Sequence, residues 1–373
     1  MMKRNAEPYI STYLHSKGRK LGIPVAGNFE LTARCNFNCP MCYVHMTPEQ
    51  LKASGRGELT AKQWLDIARA AKEKGMLFVL LTGGEPMVRK DFFEIYDGMR
   101  EMGLLISINS NGSMLQGEIL ERFLKTPPFR FNISLYGGSN ETYQRMCGIP
   151  AYDRVKENIR KLRQAGVEVS LNLSITPYNK DDLEQIYRDA VELDVNVKAS
   201  SYMYPSVRVN GEQYGCGNRL SCTESAKYSV QWDLLRFTDE DFAARAEAMM
   251  RLEGIGEGCP MEEGEGVRCR AGSTAFWMTW DGKMLPCGML TTPAVYPLEI
   301  GFDAAWEQIR AETAKIRTPA KCTSCGYKDI CGACAAVYYT ETGTFDQVPE
   351  YVCRRAEEIV KATQAAYEER KQK

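Results

Sequence analysis

The residues Cys35-Asn36-Phe37-Asn38-Cys39-Pro40-Met41-Cys42 follow the apolar run Phe29-Glu30-Leu31-Thr32 and open a loop that contains His45. Thiolates spaced C-x3-C-x2-C can hold three irons of a 4Fe-4S cluster and leave the fourth iron without a protein ligand. That open position is where a chemical function would enter. The other readings are a zinc knuckle or buried free cysteines. A structural zinc site is normally closed by four ligands, and His45 stands near enough in sequence to be the fourth.

With 373 residues, 44% apolar and 25% charged, the chain is long enough for one large domain and a smaller one, each with a core. Forty-seven basic residues against 48 acidic ones leave a net charge of -1, so no global field attracts nucleic acid or an anionic membrane. No continuous apolar segment marks a secretion signal or a membrane span, and the expectation is a soluble cytoplasmic protein. Fourteen cysteines in such a chain argue for metal ligation in a reducing compartment rather than for disulfides.

Residues 1–25 read as a helix (Tyr9 to Lys20) and a lead-in punctuated by Gly22 and Pro24. After the cysteine loop, short apolar strands alternate with amphipathic helices. Helices are predicted over 60–74, 91–102, 115–124, 152–165 and 181–193, and strands over 78–81, 105–109, 131–135, 167–175 and 195–200. With the strand before the cysteines, this makes six parallel βα units, an α/β fold of the partial (β/α)6 TIM-like barrel kind, with ligands at the carboxyl ends of the strands. Pro205 to Ser229 reads as a long loop at the barrel mouth, Asp239 to Leu252 as a helix, and Glu253 to Gly266 as a glycine-rich linker.

The strand at 78–81 runs into Thr82-Gly83-Gly84-Glu85-Pro86, where two glycines let the backbone approach a ligand and a carboxylate follows. One βα unit after C-x3-C-x2-C, this pair of motifs resembles the radical S-adenosylmethionine (radical SAM) enzymes. The resemblance implies that Cys35, Cys39 and Cys42 hold a 4Fe-4S cluster and that Gly83, Gly84, Glu85 and Pro86 hold the methionyl amino group of S-adenosylmethionine. It also implies Ser134 and Arg145 at the carboxylate, Asn111 near the ribose and Ile175 near the adenine; capping by Ser134 and a surface ion pair of Arg145 are the plain alternatives. The family usually has an aromatic residue where this chain has Met41, so the adenine contact there is apolar or moved to Tyr43. It usually has Asp where this chain has Tyr136.

Further on, Cys269-x12-Gly282-x4-Cys287 is followed by Cys322-x2-Cys325-x5-Cys331-x2-Cys334 and then Cys353. This is similar to the SPASM extension of radical SAM proteins, which implies two auxiliary 4Fe-4S clusters, three in all. By that resemblance Cys269, Cys287 and Cys334, with Cys259 as fourth ligand, hold the first, and Cys322, Cys325, Cys331 and Cys353 the second. The family has x3 before the cysteine matched by Cys334. A zinc ribbon is the competing reading, since paired C-x2-C units suit zinc equally. The expected division is residues 1–25, a radical SAM barrel over 26–236, a helix and linker over 237–258, and a SPASM-type domain with a C-terminal helix over 259–373. Cys147 reads as a small core residue, and Cys216 and Cys222 as ligands or spectators in the mouth loop.

The resemblance implies reductive cleavage of S-adenosylmethionine to a 5'-deoxyadenosyl radical that abstracts hydrogen from a substrate, with the protein positioning and excluding water. It implies a low-potential electron donor such as flavodoxin or ferredoxin. Relatives with the extension mostly modify ribosomally made peptides or proteins, by crosslinking, epimerisation or oxidation; sulfatase-maturing relatives carry Asp where this chain has Gly288. The aromatic residues Tyr202, Tyr204, Tyr214 and Trp232 suit a peptide groove, or mere packing. Residues 1–25 are too short for a leader-peptide domain, so either a separate leader-binding protein or a small-molecule substrate is expected. An iron-sulfur electron carrier and a zinc-ribbon interaction module are the expectations outside the radical class.

Overall fold

The computed structural model describes residues 9–211, 213–215, 217–252 and 264–372. Cys216 and Cys259 lie outside the described residues. Six strands follow the order of the chain: β1 (Ala26–Glu30), β2 (Phe78–Thr82), β3 (Leu105–Ser110), β4 (Arg130–Ser134), β5 (Val169–Ser174) and β6 (Asn196–Ser200). All pair in parallel with their sequence neighbours, with helices between them, so they form the expected partial barrel.

Period-two alternation decides which side chains face the helices. Phe29, Val79, Leu81, Ile106, Ile108, Phe131 and Ile133 are buried in the main core. The helix Ala61–Glu73 packs on them through Ala61, Trp64, Ile67, Ala68 and Ala71, a stripe at helical spacing. Trp64 lies 5.3 Å from Phe29, ring centroid to ring centroid. Thr60 and Gln63 close this helix with a reciprocal capping box.

The C-terminal region is not laid beside the barrel but joined to it. Strand β7 (Ala275–Met278) pairs in parallel with β1, and β8 (Met284–Leu285) pairs antiparallel with β7, giving the sheet order β6-β5-β4-β3-β2-β1-β7-β8. Phe276, Phe302, Trp306 and Ile309 belong to the same core as Phe29. Trp306 Nε1 donates to the Gly22 carbonyl at 2.7 Å, tying in the lead-in after the first helix, Tyr9–Leu21.

Two local readings are corrected. The segment 205–229 is not one loop: Val207–Asn210 is a short helix, and the helix Cys222–Arg236 begins inside it, with Ser221 and Glu224 making a capping box. A helix at Asn140–Cys147, capped by Ser139, was not anticipated, because its mean composition is polar. The 22-residue helix Glu350–Lys371 closes the chain and packs against Cys222–Arg236, where Arg355 donates to Ser225 Oγ at 2.7 Å and to Ser201 Oγ at 2.9 Å. Among the described residues no helix is long and apolar enough to cross a membrane.

Candidate active site at the carboxyl ends of the strands

The loop after β1 carries the first three cysteines, and the loop after β2 carries Gly83 and Gly84. Cys35, Cys39, Cys42, Tyr43, His45, Gly83, Gly84, Asn111, Ser134 and Tyr136 line one cavity. The two loops touch through backbone: Gly84 N–H donates to the Thr32 carbonyl at 2.8 Å and Glu85 N–H to the Arg34 carbonyl at 2.9 Å. There is no room for side chains here. A Cβ on Gly84 would lie 2.3 Å from the Arg34 carbonyl oxygen and 3.0 Å from Cys35 Cβ, and one on Gly83 2.5 Å from the Thr32 carbonyl oxygen. Gly83 also holds φ at 148°, a backbone state that side chains disfavour.

Burial shapes the three thiols. It pushes Cys35 up to about 12, opposed by the Phe37 N–H that donates to its sulfur at 3.3 Å. Cys42 is raised by burial and receives the His45 N–H at 3.2 Å. Cys39 is raised first by a hydrogen bond with the thiol of Cys147 and then by burial. Cys147, fully buried at the end of its helix, is therefore a core residue as expected and also the direct neighbour of Cys39. Without metal such thiols are protonated, and a metal centre would bind by displacing the protons. The donor set fits an iron-sulfur group: three soft thiols at one cavity, two of whose sulfurs already accept backbone N–H groups. Among the described residues no three His, Cys, Asp or Glu side chains converge closely enough to hold a single metal ion.

Glu85 sits behind this wall rather than in it. Its buried carboxylate accepts from Ser110 Oγ at 3.0 Å, from Asn111 N–H at 2.8 Å and from Met87 N–H at 3.3 Å, and burial raises it to about 7. Pro86 is buried at the start of a short 3-10 turn. Glu85 thereby ties the β2 loop to the β3 loop. Asn111 lines the cavity with its amide committed: Nδ2 donates to Asn36 Oδ1 at 2.8 Å, and Oδ1 accepts from Ser113 Oγ at 2.7 Å. Asn36 and Ser113, joined at 2.8 Å, complete a polar brace across the cysteine loop that the sequence reading missed.

Arg145 and Ile175 are not brought to this cavity. Arg145 lies on the exposed side of its helix, with Nη2 near Thr142 Oγ1 at 3.3 Å and the Tyr178 carbonyl at 3.4 Å. Ile175 is 1% exposed within the core. Trp232 is likewise not a mouth residue: it is buried against Tyr187, ring centroids 6.3 Å apart.

Missed altogether by the sequence reading was a buried clasp beneath Tyr43. Arg208 donates to both oxygens of Glu30 and to the Gly288 carbonyl, and Trp277 Nε1 donates to Glu30 at 3.0 Å. It joins the end of β1, the mouth segment and the residue after Cys287.

The C-terminal cysteines fall into two neighbourhoods. Cys287, pushed up to about 11 by burial, interacts with Cys334 and Cys269, and Tyr204 lies among these three with its hydroxyl 3.9 Å from Cys334 Sγ. Cys353, also raised to about 11 by burial, interacts with Cys322, Cys331 and Cys325. Cys222 belongs to neither: its thiol faces the Tyr351 carbonyl at 3.4 Å.

Residues 29–190 match the family model of the Radical SAM superfamily. The chain carries a radical SAM domain over that stretch, and it is an enzyme. The AdoMet-dependent heme synthase of Methanosarcina barkeri is 27% identical over 346 residues, covering 88% of this chain and 95% of that protein. Among solved structures, Streptococcus suis SuiB bound to precursor peptide SuiA superimposes with a TM-score of 0.65 at 19% identity, over 95% of this chain and 82% of that one. Native anSMEcpe with bound AdoMet does so at 0.66 and 15% identity, over 93% and 99%. These two likenesses concern the fold alone.

Proposed function

We propose that the chain binds S-adenosylmethionine at a cluster held by Cys35, Cys39 and Cys42 and uses it to open a C–H bond of a substrate, with two auxiliary clusters in a SPASM-type C-terminal region. The observation that carries this is the meeting of the three thiols with Gly83 and Gly84 in one cavity at the strand ends. When bound, the cluster supplies the electron that splits the sulfur–C5' bond, giving a 5'-deoxyadenosyl radical that takes hydrogen from the substrate.

The chain's own residues do the positioning. The backbone of Gly83 and Gly84, bare of side chains, lets the methionyl amino group approach. Ser134, at the end of β4, is placed for the carboxylate. Glu85 fixes the loops from behind, the Asn36–Asn111–Ser113 brace does so from the cavity wall with Asn111 near the ribose, and Tyr43 also lines the cavity. Cys269, Cys287 and Cys334 would hold one auxiliary cluster with a ligand such as Cys259, and Cys322, Cys325, Cys331 and Cys353 the other; their two neighbourhoods support this assignment.

For the substrate, the relative that matches nearly end to end is named a heme synthase, which supports a small organic molecule. The peptide expected from the sequence becomes the second reading, favoured by the fold shared with SuiB, a structure solved with a precursor peptide. A low-potential flavodoxin or ferredoxin would deliver the electron. The test is anaerobic: iron-reconstituted, dithionite-reduced protein is incubated with S-adenosylmethionine. The expected product is 5'-deoxyadenosine, and its absence from fully reconstituted protein overturns the reading.

A further inference from the structure

Of the three thiols at the strand ends, Cys39 is held differently from the other two. Cys35 Sγ accepts the Phe37 N–H at 3.3 Å and Cys42 Sγ the His45 N–H at 3.2 Å, both donors coming from the backbone of their own loop. Cys39 is met by side chains from outside that loop: the thiol of Cys147 and the phenol of Tyr136 each hydrogen-bond with its sulfur. A backbone donor is present whatever the side chain, whereas these two contacts depend on the identity of Tyr136 and Cys147.

The fold presses both residues against the cysteine loop. The helix Asn140–Cys147 ends on it: Asn38 N–H donates to the Cys147 carbonyl at 2.9 Å, and a Cβ on Gly148, the left-handed residue that stops the helix, would lie 3.9 Å from Asn38 Cβ. Tyr143, one turn earlier on this helix, packs edge-on against Phe37 with ring centroids 6.4 Å apart. Its hydroxyl accepts the Tyr136 N–H at 3.2 Å, and Asn179 Nδ2 donates to the Tyr136 carbonyl at 3.1 Å, so the backbone that carries the phenol is fixed at both its polar groups. Tyr136 lines the cysteine cavity; Cys147 does not, and is wholly buried.

Iron on Cys39 changes the roles within the pair. In the metal-free protein either thiol can donate to the other. A sulfur bound to iron carries no proton, so only the Cys147 S–H is left to donate. Reduction of a cluster adds negative charge that its ligand sulfurs share, and a donor aimed at such a sulfur is worth more after the electron arrives than before. Taking the donor away therefore makes the cluster harder to reduce.

We propose that Cys147 is a positioning residue for the Cys39 thiolate, its S–H and the Tyr136 O–H donating together to that sulfur and setting how readily the cluster at Cys35, Cys39 and Cys42 takes up an electron. The proposal deepens the cluster reading given above and rests on it: three cysteines hold the group, and two neighbours of one of them tune it.

The full chain is reconstituted with iron and sulfide without air, poised at a series of fixed potentials and frozen for electron paramagnetic resonance. The barrel cluster is the one whose signal changes when S-adenosylmethionine is added. Cys147→Ala and Cys147→Ser remove the same sulfur, but only the serine variant keeps a donor, so packing and hydrogen bonding separate. At a given potential the ratio of reduced to oxidised barrel cluster should fall at least ~threefold in Cys147→Ala and in Tyr136→Phe, the scale of one hydrogen bond. In Cys147→Ser it should stay within a factor of about two of the wild type, at the same scale. An unchanged ratio in Cys147→Ala, an equal fall in both Cys147 variants, or an unchanged ratio in Tyr136→Phe overturns the proposal; the last decides it even where neither Cys147 variant folds. Shifted ratios in protein that forms no 5'-deoxyadenosine would leave the donor pair standing and sink the radical reading, and unchanged ratios in protein that does form it would do the opposite.

Discussion

Arg208 holds both carboxylate oxygens of Glu30, Nη2 to Oε1 at 2.7 Å and Nη1 to Oε2 at 2.8 Å, with Glu30 wholly buried at the end of β1. Arg208 sits on the short helix of the mouth segment and also reaches the carbonyl of Gly288, directly after Cys287. Removing one partner of such a pair strands a buried charge, a cost of ~3–5 kcal/mol. Arg208→Met should lower stability by that order and Glu30→Gln with Arg208→Met by clearly less, both read by chemical denaturation of the metal-free protein.

Gly84→Ala is predicted to separate folding from chemistry. The added methyl would sit 2.3 Å from the Arg34 carbonyl, so the cysteine loop must shift away from the β2 loop. Helical content by circular dichroism should be retained, while 5'-deoxyadenosine formation falls at least a hundredfold.

Glu85 gives the protein a pH signature. Its folded-state carboxyl is raised from 4.5 to about 7 by burial, so the folded protein keeps a proton that the unfolded chain gives up. The stability this contributes is full below pH ~4.5 and is lost as pH rises toward ~7, a total of ~3 kcal/mol at ~1.4 kcal/mol per unit. Denaturation of metal-free protein at pH 5 and pH 7.5 should show a steeper decline for the wild type than for Glu85→Gln, whose side chain cannot titrate.

Cys39→Ala should abolish 5'-deoxyadenosine formation and leave most of the iron bound, because Cys39 lies in the barrel cavity and the C-terminal cysteines form separate neighbourhoods. Cys353→Ala should do the reverse in part, lowering iron content while the cluster spectrum of the barrel site persists. Equal loss of iron from all the clusters in either variant would contradict the division.

Much of the fold was legible because its signals are local. Period-two runs such as Phe29 to Leu31 and Phe78 to Leu81, separated by amphipathic helices, specify parallel βα units, and the two short motifs gave the cavity's cysteines and glycines. What stayed hidden depends on distant partners. Nothing near Glu30 announces Arg208, 178 positions away, and a four-residue strand such as β7 is too short to declare which edge it will join. Cys147 could not be seen as the neighbour of Cys39 without the fold that carries its helix there. One miss was avoidable: Ser221-Cys222-Thr223-Glu224 is a helix-start signature lying in plain view within the segment taken for loop. The placement of Arg145 outside the cavity was hidden for a different reason, since a motif match fixes a residue's address but not the side of the helix on which its guanidinium ends up.

The pairing of β7 with β1 sets a timetable for biosynthesis. While the ribosome is still making the middle of the chain, β1 has β2 on one flank and nothing on the other, an open row of backbone donors and acceptors of the kind that recruits wrong partners. Only when Ala275–Met278 leaves the exit tunnel is that flank sealed. Nascent chains truncated before residue 275 should therefore clump, and iron delivered during translation would meet a half-built vessel.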